Sequence, residues 1–302
     1  MQETKPICYL PHEYESGLYE HSFYKHMFIE DISHRILPYS LRDDDFEGII
    51  NCSEDDLPYI KKVLNCFSDY SENHDISRIV TDAIRGLARD ISWSGKAIYE
   101  IYGEQNEIRF IPLKSDSFID MKFFELQLPP KKANKKLPLK FIKKKYLWKI
   151  SIPKELQRMY IYKNILSSID KFDSSMPKVF KDRLYNGDTG YGNFDLDKYK
   201  EKQFLYVNDL TREWGWNQRS MGTDMTTEFF KNFKQIKFDA SCTILREHII
   251  NELNKLFIKL NKKASIEIKG IPSSKDYEIH LNKYVKNEVN YDNIFDINIK
   301  KD

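Results

Sequence analysis

Residues 76–93 carry the most regular apolar pattern in the chain, and this pattern limits how its central part can fold. Eight apolar residues recur at steps of three and one, which places their side chains along one stripe of an α-helix. They are Ile76, Ile79, Val80, Ala83, Ile84, Leu87, Ala88 and Ile91. Asp75 or Ser77 is placed to cap the start of this helix, and Gly95 to end it in a left-handed turn.

A β-hairpin is predicted directly after this helix. Residues 96–101 alternate with period two, residues 103–106 have the composition of a turn, and residues 108–113 form the returning strand. We predict further strands over 118–128, 146–152 and 264–269, and further helices over 57–70, 156–172, 243–260 and 275–287. These elements define an α+β fold class, with helices packed on small antiparallel sheets and hairpins.

The composition is that of a globular protein. Of the 302 residues, 41% are hydrophobic and 14% aromatic, which provides enough apolar surface to offset the entropy of folding. No apolar run reaches the roughly 18 residues of a membrane helix, and the N-terminus lacks the pattern of a signal peptide. We therefore expect a cytoplasmic protein without a membrane partner, whose four cysteines are reduced thiols.

The charge is distributed unevenly along the chain. Residues 1–75 hold 16 acidic and 6 basic residues, a balance of −10, so the remainder carries +12 within a net charge of +2. This split predicts either head-to-tail contact between copies or a surface that meets an acidic polymer. We divide the chain into an acidic region 1–75, a helix and hairpin region 76–152, a region 153–240 with a polar insertion over 173–203, and a C-terminal region 241–302.

A lysine-rich segment provides the candidate nucleic-acid contact. Residues 131–149 contain nine lysines and no acidic residue, with Phe141, Tyr146 and Trp148 interleaved. The lysines are Lys131, Lys132, Lys135, Lys136, Lys140, Lys143, Lys144, Lys145 and Lys149. Such a density attracts a phosphate backbone without reading base sequence, although a solvated loop has the same composition.

A catalytic alternative rests on the strand over 264–269. Glu267 and Lys269 lie on one face of that strand, and with an upstream acid such as Asp239 they resemble the metal-binding half of a restriction-type nuclease core. The polar face of an ordinary amphipathic strand gives the same pattern. The series Cys8, His12, His21, His26 and His34 lacks the second ligand pair of a zinc site, so we predict no metal and no cofactor.

Other catalytic motifs are absent from the sequence. Gly187, Gly190 and Gly192 have no preceding apolar strand and no following helix, so they do not form a phosphate-binding loop. The chain contains no Walker loop, no His-Glu-x-x-His and no nucleophile elbow, which favours a protein that is not an enzyme. Trp214 and Trp216 are typical of core packing or of a subunit contact.

The order of elements resembles the portal proteins of tailed bacteriophages. The helix 76–93, the run Ser94-Gly95-Lys96-Ala97-Ile98-Tyr99 and the hairpin ending at Pro112 are similar to the wing region of that family. Residues 204–208 are similar to a strand of the family, residues 219–225 to its Gly-x-Ser-x-Leu stretch, and residues 249–290 to its closing helix, strand and helix. The interval from Gly222 to Asn254 is expected to be too short for the family's long kinked helix and tunnel loop.

The resemblance implies a compact or diverged portal, the head-tail connector of the virion. Such a protein is a ring of identical subunits that conducts double-stranded DNA, with other phage assembly proteins as partners and the virion or the cytoplasm of the bacterial host as its location. A portal-derived antiviral or interaction protein is an alternative. The lysine segment 131–149 and the insertion 173–203 are then the candidates for the end that faces DNA or the packaging motor.

Overall fold

The computed structural model describes residues 6–14, 23–37, 46–68, 75–103, 108–130, 137–174, 204–220 and 227–291. Its helices are α1 (Phe23–Arg35), α2 (Leu57–Asn65), α3 (Ile76–Ser94), α4 (Tyr162–Ser174), α5 (204–210), α6 (Glu228–Lys259) and α7 (Ser274–Val285). Its strands are β1 (Glu47–Asn51), β2 (Lys96–Tyr102), β3 (Arg109–Leu113), β4 (Phe118–Asp120), β5 (Phe124–Gln127), β6 (Lys140–Lys143), β7 (Leu147–Ser151) and β8 (Ser265–Lys269). The α+β class is confirmed, and the insertion 173–203 lies outside the described residues from position 175 onward.

Helix α3 and the hairpin after it form as the sequence predicts. Asp75 caps the helix by accepting a hydrogen bond from the backbone N–H of Arg78, and Gly95 ends it with φ +80°. Strand β2 then pairs antiparallel with β3, with Ile98 opposite Leu113. The predicted helix and hairpin are thus present.

The strands form three antiparallel sheets. The central sheet has the order β3-β2-β7, and a second three-stranded sheet, which we call the small sheet, has the order β4-β5-β6. The third sheet pairs β1 with β8, with Ile50 opposite Ile266. This pair therefore joins the acidic first region to the C-terminal region.

The main core lies between the helices and one face of the central sheet. Tyr99 and Trp148 of that sheet face it, together with Phe67 and the buried stripe of α3. The opposite face of the central sheet is covered by the small sheet, so that β2 is buried on both faces.

One predicted element is wrong, and another begins earlier than predicted. Residues 204–208, predicted as a strand from the family resemblance, lie in helix α5, where Val207 and Leu210 turn toward the core. Helix α6 begins at Glu228 instead of residue 243 and has 32 residues. Its buried side includes Lys234 and Ser241, which interrupt the apolar stripe that sequence analysis relies on. The interval before Asn254 therefore does hold a long helix.

Candidate nucleic-acid interface

The lysine-rich segment 131–149 includes a strand that the sequence analysis treated as a loop. Four of its lysines lie outside the described residues: Lys131, Lys132, Lys135 and Lys136. The other five lie on β6, on the single turn of 3-10 helix after it, or on β7: Lys140, Lys143, Lys144, Lys145 and Lys149. The small sheet therefore decides which of these five amino groups can reach a ligand.

The small sheet has a buried inner face and an exposed outer face, since side chains alternate along each strand. On the inner face, Phe118 and Ile142 pack in a cluster with apolar residues of the central sheet. On the outer face, Leu126 of the middle strand pairs with Ile119 on one side and with Phe141 on the other. This cross-strand row is apolar although it faces away from the core.

Two phenyl rings project at the outer face and at the turn beside it. Phe141 of β6 is 65% exposed, and Phe123 in the turn between β4 and β5 is 76% exposed. The ring of Phe141 meets that of Phe124 edge-on, with the centroids 5.2 Å apart. Large apolar side chains exposed together in this way mark contact surfaces in folded proteins.

Two of the described lysines are neutralised within the sheet. Lys149 forms an ion pair with Glu125, which is 0% exposed, and Lys144 lies 2.6 Å from a carboxylate oxygen of Asp120. The hydrogen bond from Lys144 lowers the pKa of Asp120. A buried carboxylate needs such a partner, because desolvation penalises its charged form. Lys149 thus serves the fold before any ligand binds, whereas Lys144 forms an exposed ion pair.

Lys140 holds the extended N-terminal segment 6–10 in place. Its ammonium group donates a hydrogen bond to the carbonyl oxygen of Ile7 and lies 3.9 Å from the ring centroid of Tyr9. Gln127 of β5 also exchanges two hydrogen bonds with the backbone of Tyr9, at 2.7 and 2.9 Å. This amino group too is used internally.

Lys143 and Lys145 remain exposed at the end of the small sheet. Phe124 pairs with Lys143 across β5 and β6, so the turn before Phe124 and the turn after Lys143 lie at the same end of the sheet. Among the described residues, no carboxylate forms an ion pair with either lysine, and Lys145 lies 4.7 Å from the ring centroid of its neighbour Tyr146. Lys122 approaches the ring of Phe123 to 5.3 Å. We call these exposed residues the aromatic-lysine patch: Lys122, Phe123, Phe141, Lys143 and Lys145.

The three residues of the nuclease alternative are not brought together. Asp239 is buried on α6, 3.4 Å from Arg35, whereas Glu267 and Lys269 pair with each other at 3.5 Å on the exposed side of β8. The β8 end of α6 is marked by Asn254, which accepts a hydrogen bond from the backbone N–H of Ile266. Fifteen helical residues, about 22 Å, separate Asp239 from Asn254, so one divalent ion cannot be shared by this set.

The histidine and cysteine series of the sequence is only partly covered by the described residues. Within the described ranges, no three His, Cys, Asp or Glu side chains are arranged to hold a metal ion. Cys8 is buried against Glu100, and burial together with that carboxylate raises the pKa of its thiol. His21 lies outside the described residues. Cys8 is a small core residue in this structure.

Trp214 and Trp216 pack in the main core, as one of the two sequence interpretations expects. Both indoles are fully buried, and both contact the ring of Phe28. The indole N–H of Trp216 donates to a carboxylate oxygen of Asp31 at 2.7 Å. These rings therefore fix α1 against the segment after α5.

The fold and the patch together define an α+β protein with an aromatic and basic face on an accessory sheet. Neither the scan of protein-family models nor the search of curated proteins finds a match for this chain. In the part of the chain that the structure describes, no helix combines the length and the apolar character that a membrane span requires.

Proposed function

We propose that this chain is a structural DNA-binding protein of the portal type, which assembles into a ring and contacts double-stranded DNA through the aromatic-lysine patch. One observation carries the proposal: Lys143 and Lys145 are exposed and form no ion pair with any described residue, whereas Lys144 and Lys149 between and beside them pair with carboxylates. The DNA contact thus depends on a subset of the lysine cluster.

The chemistry of the patch suits a ligand that carries negative charge and whose base sequence the protein does not recognise. A lysine ammonium is a compact point charge that neutralises a phosphate without reading base edges. The exposed rings of Phe123 and Phe141 add apolar area that becomes favourable once water is excluded. Such a surface binds DNA regardless of sequence, which a conduit requires.

Ring formation is supported by the asymmetry of charge. The first 75 residues carry −10 and the rest +12, so the acidic region of one copy complements the basic remainder of the next. A contact between two different surfaces of identical chains is heterologous, and it closes a ring when the rotation between copies permits. The same asymmetry lets the chain assemble around a polyanion.

The test is the salt dependence of DNA affinity for the double variant Lys143→Glu/Lys145→Glu. Each lysine that contacts a phosphate contributes roughly one unit to the slope of log affinity against log salt concentration. We therefore expect the double variant to bind a labelled duplex more weakly and with a slope smaller by about two. Fluorescence anisotropy at several salt concentrations measures both quantities.

A matched control is available on α7. Lys283 and Lys286 are exposed, and Lys283→Glu/Lys286→Glu makes the same change in net charge away from the small sheet. This control is expected to keep the wild-type slope. Equal slopes for the wild-type protein and the patch variant would show that Lys143 and Lys145 do not contact DNA, and the proposal would be withdrawn.

A second candidate is a portal-derived interaction protein that docks a protein partner on the same patch. The observation that favours it is the exposure of Phe123 and Phe141, since phosphate binding by itself does not require phenyl rings. For this candidate, Phe123→Ser/Phe141→Ser abolishes complex formation, and DNA affinity is negligible in the wild-type protein. Pull-down experiments with Lys143→Glu/Lys145→Glu and with Phe123→Ser/Phe141→Ser distinguish the two candidate functions.

A further inference from the structure

A cleft of about 590 Å³ opens where α1, the end of α3 and the start of β2 meet the turn after β3 and helix α4. This volume lies in the range of sites that hold small molecules. Its described lining combines aromatic, cationic and acidic side chains. The polar and aromatic members are Lys25, His26, Asp90, Trp93, Lys96, Tyr99, Lys114, Ser115, Asp116 and Asp170. None of them belongs to the aromatic-lysine patch.

Trp93 gives the cleft an exposed aromatic wall. Its indole is 42% exposed, whereas Trp148, Trp214 and Trp216 are buried. His26 from α1 packs edge-on against it, with the ring centroids 4.8 Å apart, which fixes the orientation of the indole. A fixed, half-exposed indole in a concave site offers a stacking surface for a planar ring.

Lys96 gives the cleft a cation without an internal partner. Two nearby lysines are already paired, Lys25 with Asp170 at 2.6 Å and Lys163 with Asp116 at 2.7 Å. No carboxylate of the described residues lies within ion-pair distance of the Lys96 ammonium, although this side chain is half-buried. Burial lowers the pKa of Lys96, and the more distant carboxylates of Asp116 and Glu125 offset that effect only in part.

The remaining polar groups of the cleft are mostly acceptors. Ser115 donates its hydroxyl hydrogen to Ser94 at 2.8 Å, and Asp90 accepts the hydroxyl hydrogen of Tyr99 at 2.6 Å. Each carboxylate has room for about four hydrogen bonds. Asp90 and Asp116 thus place acceptors for ligand hydroxyl or amino groups beside the aromatic wall and the cation.

We propose that this cleft binds a mononucleotide. Its base stacks on Trp93, its phosphate pairs with Lys96, and its ribose hydroxyls donate to the aspartates of the lining. A planar ring, an anion and several hydrogen-bond donors are what these three sets of side chains recognise together. This site is separate from the proposed DNA contact, because the cleft and the aromatic-lysine patch share no residue.

The test is calorimetric titration of the full-length protein with adenosine monophosphate. We expect saturable binding that weakens roughly tenfold or more in Lys96→Ala and in Trp93→Ala, in line with the loss of a charge-assisted contact or of a stacking surface. The patch variant Lys143→Glu/Lys145→Glu is expected to keep wild-type nucleotide affinity. Circular dichroism confirms folding, and Trp93→Phe, which keeps a ring at this position, gives a second variant with an intermediate affinity.

Three outcomes would overturn the proposal. The first is the absence of binding at millimolar nucleotide in the folded wild-type protein. The second is binding that Lys96→Ala and Trp93→Ala leave unchanged, which would place the nucleotide elsewhere. The third is equal affinity for inorganic phosphate or for adenosine alone, because the site would then recognise an anion or a ring but not their combination. Loss of nucleotide binding leaves the DNA proposal intact, since the two are measured with different variants.

Discussion

Glu100 is 1% exposed in the middle of β2. Its carboxylate provides the hydrogen-bond acceptors for the backbone of the N-terminal segment 6–10. It accepts hydrogen bonds from the backbone N–H groups of Ile7 at 2.6 Å and Cys8 at 3.1 Å. A buried carboxylate is tolerated only with such partners, because an unpaired one loses its hydration without compensation. Glu100 therefore has a structural role, because its buried carboxylate accepts hydrogen bonds that hold the N-terminal segment on β2.

Asp239 on α6 is largely shielded from water, with a side chain that is 12% exposed. Desolvation raises its pKa to about 6, against the opposing influence of Arg35 and Gln235. The folded state therefore holds this proton more tightly than the unfolded state, and the contribution of the protonated group to stability is lost as pH rises through about 6. We expect the wild-type free energy of unfolding, relative to Asp239→Asn, to fall by up to about 3 kcal/mol between pH 4 and pH 7.

Urea denaturation of both proteins across this pH range measures the difference. Asp55→Asn changes an exposed aspartate in the same way and provides the baseline. A difference between wild type and Asp239→Asn that stays constant with pH would mean that Asp239 is ionised in the folded protein without penalty.

At the scale of elements, the packing of α2 on α3 depends on a glycine. Gly86 is buried on α3, and a Cβ at this position would lie 1.9 Å from the carbonyl oxygen of Phe67 at the end of α2. The close approach brings the ring of Phe67 against Tyr99 and Trp148 in the main core. Glycine lowers the helix propensity at this position of α3, and its missing side chain allows the backbone at Phe67 to approach.

Gly86→Ala is therefore expected to destabilise the protein, although alanine is the better helix former by about 1 kcal/mol. The new methyl group must displace backbone, and overpacking of this kind costs roughly 1–3 kcal/mol. Thermal unfolding of Gly86→Ala compared with the wild-type protein measures the effect. An increase in stability for Gly86→Ala would show that α2 can move away from α3 at little cost.

At the scale of the whole molecule, the acidic region and the C-terminal region are joined by the β1–β8 pair. The described acidic residues near β1, such as Glu47 and Asp55, are consequently held close to the C-terminal region. Charges of opposite sign on one body are able to pair between copies, and salt weakens such pairing because exposed charges are screened within about 10 Å at 0.1 M ionic strength.

Light scattering at two salt concentrations tests this assembly. We expect a closed assembly several times the 36.1 kDa chain mass at low salt and a smaller mass at high salt. Phe123→Ser/Phe141→Ser shows whether the exposed rings also contribute to the contact between copies. A mass of one chain at both salt concentrations would exclude ring formation by this protein on its own.

The local pattern of the sequence predicted the elements whose causes are local. Helix α3, its Asp75 cap, the turn at Gly95 and the following hairpin depend on residues close in sequence, and all are present. The strand β8 was also predicted almost to the residue. Helix α5 was missed because the prediction for residues 204–208 followed the family resemblance. The first half of α6 was missed because buried polar residues interrupt its apolar stripe.

The candidate site shows the same limit at the level of side chains. The nine lysines were found from composition, but only the fold pairs Lys149 with Glu125 and Lys140 with the carbonyl of Ile7, contacts that span 24 and 133 residues. The fold likewise buries both faces of β2 and leaves Trp93 exposed beside Lys96. The sequence by itself determined the class of the fold and the stock of charge, because periodicity and composition are local properties. The tertiary structure decided which charges remain available to a ligand, because a distant side chain neutralises a lysine only after the chain has folded.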